Sequence, residues 1–321
     1  MVRRKISKPT SCSRILVIKL GALGDFIQAM GPFEAIRKFY KESHIVLLTT
    51  KAFRSLGMQS GFFDQIWLDN RPNFWQVNNI LKLRKRIISF KFERVFDLQT
   101  SDRSNFYFHF IWPSKKPEWS GIARGCSHRH KNPKRDLMHT LDRQADQLSL
   151  LGIDKVPSPN LDRIRKNKSK FKIQGKYFII FHGGSRHRPR KRWPGKKYIE
   201  LANYFFRYKK LRPIFLGDKE DRFSLKGLEK TCPGGLNLCG QTSLQQVVAL
   251  LRKAKFVIGN DTGPMHISAV LGRHSVVLFS KESDPRLCAP RGKNVRILQS
   301  NDLDQLSLKR VISAVNLLKM N

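Results

Sequence analysis

Residues 15–25 read ILVIKLGALGD and decide the class of fold. The run 15–20 is almost entirely apolar and rich in β-branched residues, which predicts a short buried strand. The glycines of 21–24 predict a turn after it, and the apolar residues of 26–36 then recur at helical spacing. A strand, a tight turn and a helix in this order indicate a βαβ unit and hence a parallel sheet.

The same alternation runs through the rest of the chain. Further strands are predicted at residues 44–50, 94–99, 177–183, 213–217, 256–259 and 275–279. Helices are predicted at residues 196–210, 219–230, 243–254 and 264–272. The sequence therefore predicts an α/β protein built on parallel sheets.

A change in composition divides the chain into two halves. Residues 156–160 (VPSPN) are rich in proline, and the stretch that follows is rich in lysine without apolar periodicity. We therefore predict an N-terminal domain over 1–160, a linker over 161–172, a C-terminal domain over 173–302 and a final amphipathic helix over 303–321. Two parallel-sheet domains facing one another across a cleft are the simplest arrangement, with ligands beyond the carboxyl ends of the strands.

The charge is unusually positive. The chain of 321 residues carries 62 Lys and Arg against 24 Asp and Glu, a formal net charge of +38. Such an excess predicts a polyanionic partner, which could be nucleic acid, an anionic membrane surface or a polyanionic substrate. No apolar run approaches the ~20 residues of a membrane span, and none resembles a signal peptide. We therefore expect a soluble protein of the cytoplasm.

The cysteines do not predict a metal site or a disulfide framework. The five are scattered through the chain, at Cys12, Cys126, Cys232, Cys239 and Cys288. The spacing of the nearest pair does not match a zinc knuckle. We expect reduced and mostly buried thiols.

The first candidate site is the turn after the first strand. Gly21 and Gly24 permit a tight turn and close backbone approach by a ligand. Asp25 follows at the start of a helix, at the carboxyl end of the predicted sheet. From its position, this carboxylate is either a helix cap that binds free backbone amides or a general base, and both interpretations stay open.

The second candidate site is residues 259–266, GNDTGPMH, again a strand, a turn and a helix. Free amides near Thr262 and Gly263, together with the helix dipole, would favour a phosphate. Asp261 would repel that phosphate, so we expect its carboxylate to accept sugar hydroxyls. The structural alternative is that Asp261 or Thr262 caps the helix and that His266 packs against it.

The third candidate site is residues 183–194, GGSRHRPRKRWP. A strand end with two glycines and a cluster of cations is suited to a diphosphate. Most of these arginines are expected to be a solvated basic loop. Lys191, just before Trp193 and Pro194, is the exception that we assign to the site.

Together these three pieces resemble glycosyltransferase family 9, the heptosyltransferases that build the inner core of bacterial lipopolysaccharide. The resemblance rests on an ordered set of short motifs along nearly the whole chain. They are Lys19, the turn 21–25, Pro32, residues 183–185, Lys191 with 193–194, residues 238–244 (LCGQTSL), residues 259–266, residues 283–285, Pro290 and Gly292.

The resemblance implies the GT-B fold, two facing Rossmann-like domains with a cleft between them. It implies inverting transfer from a nucleotide-activated sugar, typically ADP-heptose, with no metal and no other cofactor. It implies that Asp25 is the general base for the acceptor hydroxyl and that Lys191 neutralises the diphosphate. Thr262 and Gly263 would hold that diphosphate from the helix N-terminus, and Asp261 would orient the sugar.

The resemblance also implies the remaining donor contacts. His266 would lie close to the phosphates, and Ser185 would add a hydroxyl to their site. Gln241 and Thr242 would lie near the base of the nucleotide. Asp218 or Glu220 would hold the ribose, with the choice between them open.

Metal-dependent sugar transferases usually contain an Asp-x-Asp pair. Residues 302–304 (DLD) match that pattern, but they come just before the final predicted helix, where capping is the expected role.

The implied acceptor accounts for the charge. It is a Kdo-bearing lipid A precursor in the inner leaflet of the cytoplasmic membrane, so the resemblance implies an anionic lipid-linked saccharide as partner and a peripheral position on that membrane. Basic side chains near such a surface contribute about 1 kcal/mol each. Candidate patches are residues 82–86 (KLRKR) and 128–135, and either one can equally be a solvated face.

Two other functions compete with this one. A related transferase could use another nucleotide sugar. A nucleic-acid-binding protein on the same fold would use the positive charge for phosphate contacts, although no nucleic-acid-binding motif is present in the sequence.

Overall fold

A computed structural model describes residues 13–73, 75–164, 171, 173–184, 188–223, 225 and 228–318. The chain forms two compact units, residues 1–164 and 165–321. Each unit contains one sheet, and all the strand pairs within both sheets are parallel.

The N-terminal unit has a six-stranded sheet in the order β3-β2-β1-β4-β5-β6. Its strands are β1 (Arg14–Ile18), β2 (His44–Thr49), β3 (Gln65–Leu68), β4 (Arg94–Asp97), β5 (Glu118–Gly121) and β6 (His128–Arg129). Its helices are α1 (Leu23–Gln28), α2 (Met30–Phe39), α3 (Arg54–Ser60), α4 (Val77–Phe90), α5 (Asp102–Phe110) and α6 (Thr140–Ser149).

The C-terminal unit has a second six-stranded sheet in the order β12-β11-β10-β7-β8-β9. Its strands are β7 (Tyr177–Phe181), β8 (Arg212–Phe215), β9 (Leu236–Asn237), β10 (Val257–Asn260), β11 (Ser275–Phe279) and β12 (Val295–Gln299). Its helices are α7 (Gly195–Lys209), α8 (Lys219–Phe223), α9 (Leu228–Thr231), α10 (Leu244–Lys253), α11 (Gly263–Val270), α12 (Pro285–Cys288) and α13 (Leu308–Asn316).

The two sheets share one strand order. In each, the first three strands run outward in one direction from the first strand, and the fourth strand pairs with the other side of that first strand. The order therefore reverses between β1 and β4 and again between β7 and β10. In open α/β sheets, ligands bind at this reversal, beyond the carboxyl ends of the strands.

Central strands are apolar along their whole length because helices cover both faces of each sheet. Residues 15–18 of β1 and 178–180 of β7 are fully buried. In the C-terminal core the rings of Phe178 and Phe256 stack with centroids 4.5 Å apart. The final segment packs on this same core through Leu303, Leu306 and α13.

The structure confirms the predicted central strands and most of the predicted helices. Two details differ. The apolar residues of 26–36 form two helices, α1 and α2, with Ala29 between them. The helix predicted over 219–230 is wrong as a continuous element, because the described residues form the short helices α8 and α9.

Several strands were not predicted: β3, β5, β6, β9 and β12. β6 and β9 have two residues each, and β12 is half-exposed with Arg296 in its middle. Such strands lack the apolar run that marks a buried strand, so pairing with a neighbour decides their conformation. None of the helices within the described ranges has the length and apolar character that crossing a bilayer requires.

Candidate functional site

In the N-terminal unit, the reversal between β1 and β4 opens a small polar pocket of about 60 Å³. Lys19 follows β1 and is buried, and its Nζ donates to the Leu98 carbonyl at 3.0 Å. Burial lowers the pKa of Lys19, while the nearby carboxylates of Asp25 and Asp97 act in the opposite direction. Arg143 of α6 lines the same pocket. The pocket therefore places two cations beside the Asp25 carboxylate.

Asp25 lies in the first turn of α1. The N-cap of this helix is Ala22, so Asp25 is at the third helical position and is not itself the N-cap. Its Oδ2 accepts a hydrogen bond from the Ala22 amide at 3.2 Å. The carboxylate thus binds a free amide at the helix start and also lines the pocket, so both chemical interpretations remain compatible with its position.

Gly21 lies in the turn before α1, whereas Gly24 lies within that helix. Gly21 has a φ of +125°, and a Cβ atom there would lie 2.8 Å from the Phe53 ring. The turn therefore requires glycine at 21. Gly24 lies inside α1, so the prediction that the turn extends through 24 is wrong.

Asp97 is a feature of this pocket region that sequence reasoning missed. It ends β4, is fully buried and accepts from the amides of Gln99 and Thr100 at 3.0 and 2.9 Å through Oδ1. Burial raises the pKa of Asp97 to about 6. The sequence did contain a signal for this residue, because Asp97 is an acidic residue at the end of a predicted strand.

In the C-terminal unit, a buried ion pair joins the ends of two different loops. Lys191 Nζ contacts Asp261 Oδ2 at 2.7 Å, and each side chain is 11% exposed. Ser283 Oγ donates to the same oxygen at 2.8 Å. The structure therefore brings two predicted residues together and adds Ser283, which had no predicted role.

Thr262 and Gly263 form the start of α11. Thr262 is the N-cap with extended backbone, and within the described residues its side chain forms no capping hydrogen bond. His266 is buried on this helix at 7% exposure. Pro264 has no amide to offer, so Gly263 and the residues after Pro264 supply the amides of the first turn. The helix dipole favours an anion at this end.

Asn260 connects these pieces and was missed as a functional residue. Its Oδ1 accepts from the Trp193 amide at 3.0 Å and from the Tyr198 hydroxyl at 2.9 Å. Its Nδ2 donates to the carbonyls of His182 and Gly183 at 2.8 and 3.0 Å. Asn260 therefore fixes the ends of β7 and β10 relative to the loop that carries Lys191.

The two acidic candidates for a ribose contact lie at the start of α8. Asp218 is exposed, and its Oδ1 accepts from the amides of Glu220 and Asp221, both at 2.9 Å. Glu220 is also exposed. Asp221 is the buried acid of this segment, and its carboxylate occupies the space that a Cβ atom at Gly183 would need. The structure does not choose between Asp218 and Glu220.

Gln241 and Thr242 follow β9 and precede α10. Gln241 Nε2 donates to the Asn237 carbonyl at 2.9 Å, and both residues are half-buried. Ser243, next in the chain, caps α10 by accepting from the Gln246 amide at 3.3 Å.

The remaining predictions concern Ser185, the cysteines and the Asp-x-Asp pair. Ser185 and Cys12 lie outside the described residues. The described cysteines are free thiols, and three of them are buried. Asp302 caps the turn before α13 by accepting from the Asp304 amide at 2.9 Å, so the capping interpretation is confirmed. No group of three or more His, Cys, Asp and Glu able to hold a metal exists within the described part of the chain.

Each reversal thus provides a different chemistry. The N-terminal pocket offers a carboxylate that could accept a proton, beside two cations. The C-terminal reversal offers an ammonium group and helix-start amides, which suit a diphosphate.

Comparison with known proteins agrees with this chemistry. Residues 80–316 match the sequence profile of glycosyltransferase family 9 (heptosyltransferase). The chain is similar to lipooligosaccharide heptosyltransferase 2 of Haemophilus ducreyi, with 22% identity over 92% of this chain and 91% of that protein.

Solved structures share the fold. A family 9 glycosyltransferase from Veillonella parvula superposes with a TM-score of 0.79 at 21% identity, covering 97% of this chain and 99% of that one. E. coli heptosyltransferase WaaC with ADP-2-deoxy-2-fluoro heptose gives a TM-score of 0.75 at 18% identity, covering 94% and 99%. The predicted fold class, the α/β GT-B class with two Rossmann-like units, is confirmed.

The profile match covers the whole C-terminal sheet and strands β4, β5 and β6 of the N-terminal sheet, and it includes Lys191 and the turn 259–266. The chain therefore belongs to glycosyltransferase family 9, the heptosyltransferase family, and is a glycosyltransferase.

Proposed function

We propose that this enzyme moves a heptose from ADP-heptose to a hydroxyl of an inner-core lipopolysaccharide acceptor, a Kdo-bearing lipid A, with inversion and without a metal ion. The observation that carries the proposal is the C-terminal reversal, where Lys191 lies beside the amide-rich start of α11. A heptosyltransferase of the same fold has been solved with an ADP-heptose analogue.

The donor proposal follows from the leaving group. Attack on the anomeric carbon expels ADP, and negative charge grows on its diphosphate as the bond breaks. Preorganised cations and amides stabilise such charge. Lys191 supplies the cation, and Thr262 and Gly263 lie at the amide end of α11. The proposed absence of a metal rests on this protein-supplied charge.

Asp261 has two proposed roles. Its contact with Lys191 holds the ammonium group in one position, and its carboxylate orients the donor sugar through hydroxyl contacts. Lys191 and Ser283 already hold the Asp261 carboxylate in place. A negatively charged carboxylate in this fixed position suits sugar hydroxyls better than a diphosphate.

The remaining donor contacts are proposed from the family resemblance. His266 and Ser185 lie near the phosphates, Gln241 and Thr242 lie near the adenine, and Asp218 or Glu220 contacts the ribose. Asp218 and Glu220 follow β8, Gln241 and Thr242 follow β9, and His266 lies on the helix after β10, which agrees with binding beyond the carboxyl ends of the strands.

Asp25 is the proposed general base. The acceptor alcohol loses its proton as its oxygen attacks, and one carboxylate can accept that proton. A single displacement on the side opposite the leaving ADP inverts the anomeric centre. Lys19 and Arg143 line the same pocket as this carboxylate.

The test of this function is direct. The full chain is incubated with ADP-heptose and a Kdo-bearing lipid A, with and without EDTA, and the acceptor is analysed by mass spectrometry. We expect the mass gain of one heptose in both samples. Transfer from UDP-sugars alone would replace the donor assignment, and loss of transfer with EDTA would contradict the metal-free mechanism.

Asp25→Asn separates the base from the cap. The Asn oxygen can still accept from the Ala22 amide, so α1 keeps its start, whereas the amide cannot take a proton. We expect transfer to fall roughly 10²–10⁴-fold. ADP affinity and Tm should stay close to wild type. Turnover within a few-fold of wild type would show that Asp25 is only a helix cap.

A further inference from the structure

One side of α4 is exposed and apolar although the helix belongs to a packed unit. Val77 and Leu81 are 53% and 52% exposed, and Trp75, just before the helix, is 78% exposed. Only Ile87 of α4 is fully buried among the described residues. A helix of 14 residues is about 21 Å long, or nearly four turns, and Val77 and Leu81 lie about one turn apart on it.

A second exposed tryptophan, Trp112, follows a segment that contacts α4. Arg84 of α4 donates from Nε to the Phe110 carbonyl at 2.6 Å and from NH2 to the Trp112 carbonyl at 3.1 Å. Trp112 is 72% exposed. We name Trp75, Val77, Leu81 and Trp112 the α4 stripe.

Basic side chains border the stripe. Between residues 70 and 92 the sequence has six Lys and Arg and no Asp or Glu. Lys82 and Lys85 are exposed on α4, and Lys85 lies one turn after Leu81 on the same face of the helix. Among the described residues neither of these lysines forms an ion pair. Lys115 and Lys116 add charge close to Trp112.

We propose that the α4 stripe is the surface by which this protein docks on an anionic lipid bilayer. Exposed apolar side chains with neighbouring tryptophans and lysines are typical of a helix that lies in a membrane interface. Each lysine near an anionic surface contributes about 1 kcal/mol of attraction. The lysine stems cover apolar surface while their ammonium groups reach the headgroups.

The chemistry of the stripe favours a membrane over nucleic acid. Phosphates of a nucleic acid would satisfy Lys82 and Lys85, but they offer nothing to the aliphatic side chains of Val77 and Leu81. Insertion into an acyl boundary removes both from water, and burial of apolar surface is favourable by roughly 25 cal/mol per Å².

The α4 stripe also begins near the edge of the N-terminal sheet that carries Asp25. Arg71, a few residues before Trp75, donates from NH2 to the Leu20 carbonyl at 2.8 Å. Leu20 immediately precedes the turn that leads to Asp25. A membrane on the stripe would therefore lie close to the edge that presents the proposed base, where a lipid-linked acceptor must arrive.

The test uses the full chain and vesicles without donor or acceptor, so its result is separate from the test of sugar transfer. The probes are vesicles of phosphatidylcholine alone and of phosphatidylcholine with 30% phosphatidylglycerol. Binding is measured by co-sedimentation, and tryptophan emission is measured in parallel. We expect binding to the anionic vesicles only.

The tryptophans give a position-specific signal. Of the five, Trp67, Trp119 and Trp193 are at most 2% exposed. A blue shift on vesicles therefore reports on Trp75 and Trp112. The variant W75F/W112F should lose the shift and keep the emission of the buried rings. An unchanged shift in this variant would overturn the proposal.

Two variants divide the apolar and the charged contributions. Leu81→Glu and the pair K82E/K85E should each weaken binding to the anionic vesicles at least tenfold. The matched control is K293E/K309E, which makes the same charge change at exposed positions of the C-terminal unit and should bind like wild type. Circular dichroism and Tm confirm folding of each variant.

Three further outcomes would overturn the proposal. The first is absence of wild-type binding to the anionic vesicles. The second is equal loss of binding in the control and in K82E/K85E, which would mean that only total charge matters. The third is unchanged vesicle binding of Leu81→Glu together with a change in its sedimentation coefficient, which would make the stripe a contact between copies.

Discussion

At the scale of single residues, the pair of Lys191 and Asp261 decides how the donor is held. The two charges are buried together and 70 positions apart in the chain. Removing one partner of a buried pair leaves the other uncompensated, which is costly. Loss of function in either variant alone would therefore not tell a binding role from a structural one.

A double-mutant cycle resolves this. We expect Lys191→Ala to weaken ADP binding at least tenfold, because it removes the cation beside the diphosphate. Asp261→Asn should weaken ADP binding less, by releasing Lys191 from its position. In the Lys191→Ala background, Asp261→Asn should recover part of the ADP affinity, because it removes an uncompensated carboxylate beside the diphosphate. Calorimetry measures each affinity. Additive losses would show that Asp261 contacts ADP itself.

Asp97 makes a separate prediction about pH. Its carboxyl has a pKa raised by burial to about 6, against 3.8 for the ordinary group. The folded state therefore binds a proton more tightly than the unfolded state, and stability falls as pH rises from about 4 to about 6. A shift of this size corresponds to about 3 kcal/mol.

The measurement is urea unfolding between pH 4 and pH 7. Asp97→Asn should show a smaller decrease in the free energy of unfolding across that range than wild type, because the Asn cannot ionise. The Asn oxygen can still accept from the Gln99 and Thr100 amides. Parallel pH profiles for the two proteins would mean that another group controls the decrease.

At the scale of elements, α10 follows directly from the segment proposed to contact the adenine. Ser243 and Gln246 form a reciprocal capping box at its start. Val247, Val248, Leu250 and Leu251 then bury the apolar side of the helix. The cap therefore fixes where α10 begins, and with it the position of Gln241 and Thr242 just before the helix.

Ser243→Ala should destabilise the protein by about 1 kcal/mol, because the Gln246 amide at the helix start loses its hydrogen-bond partner. Ser243→Asp is the control, since its carboxylate can accept the same hydrogen bond and should restore most of the stability. Chemical denaturation measures both. Equal stability of wild type and Ser243→Ala would indicate that water replaces the cap.

At the scale of the whole molecule, two units of the same strand order carry different chemistry. The proposed donor site lies wholly on the C-terminal unit, and the proposed base lies on the N-terminal unit. A ligand that binds only one unit should protect that unit more strongly. ADP provides this probe.

We expect ADP at 100 times its Kd to stabilise the unit that binds it by about 2.7 kcal/mol. Hydrogen exchange followed by mass spectrometry should show slower exchange at residues 177–184 and 257–270. Residues 14–18 and 94–97, at the corresponding strands of the N-terminal unit, are the internal control. Slower exchange only at the N-terminal strands would mean that ADP binds the N-terminal unit, which would contradict the donor assignment.

The sequence by itself determined the α/β class, the central strands and the three glycine-containing turns. These features depend on neighbours in the chain, because a buried strand needs an apolar run and a tight turn needs glycine. The glycine-containing segments that follow β1, β7 and β10 were therefore identifiable before any strand order was known.

Only the tertiary structure decided which of those turns meet. The contact of Lys191 with Asp261, the hydrogen bonds of Asn260 to the end of β7 and the burial of Asp97 all depend on strand order. Parallel strands that are adjacent in the sheet can be 70 or more residues apart in sequence, and local patterns do not encode that pairing. Short strands such as β9 form only because a neighbouring edge offers them hydrogen bonds.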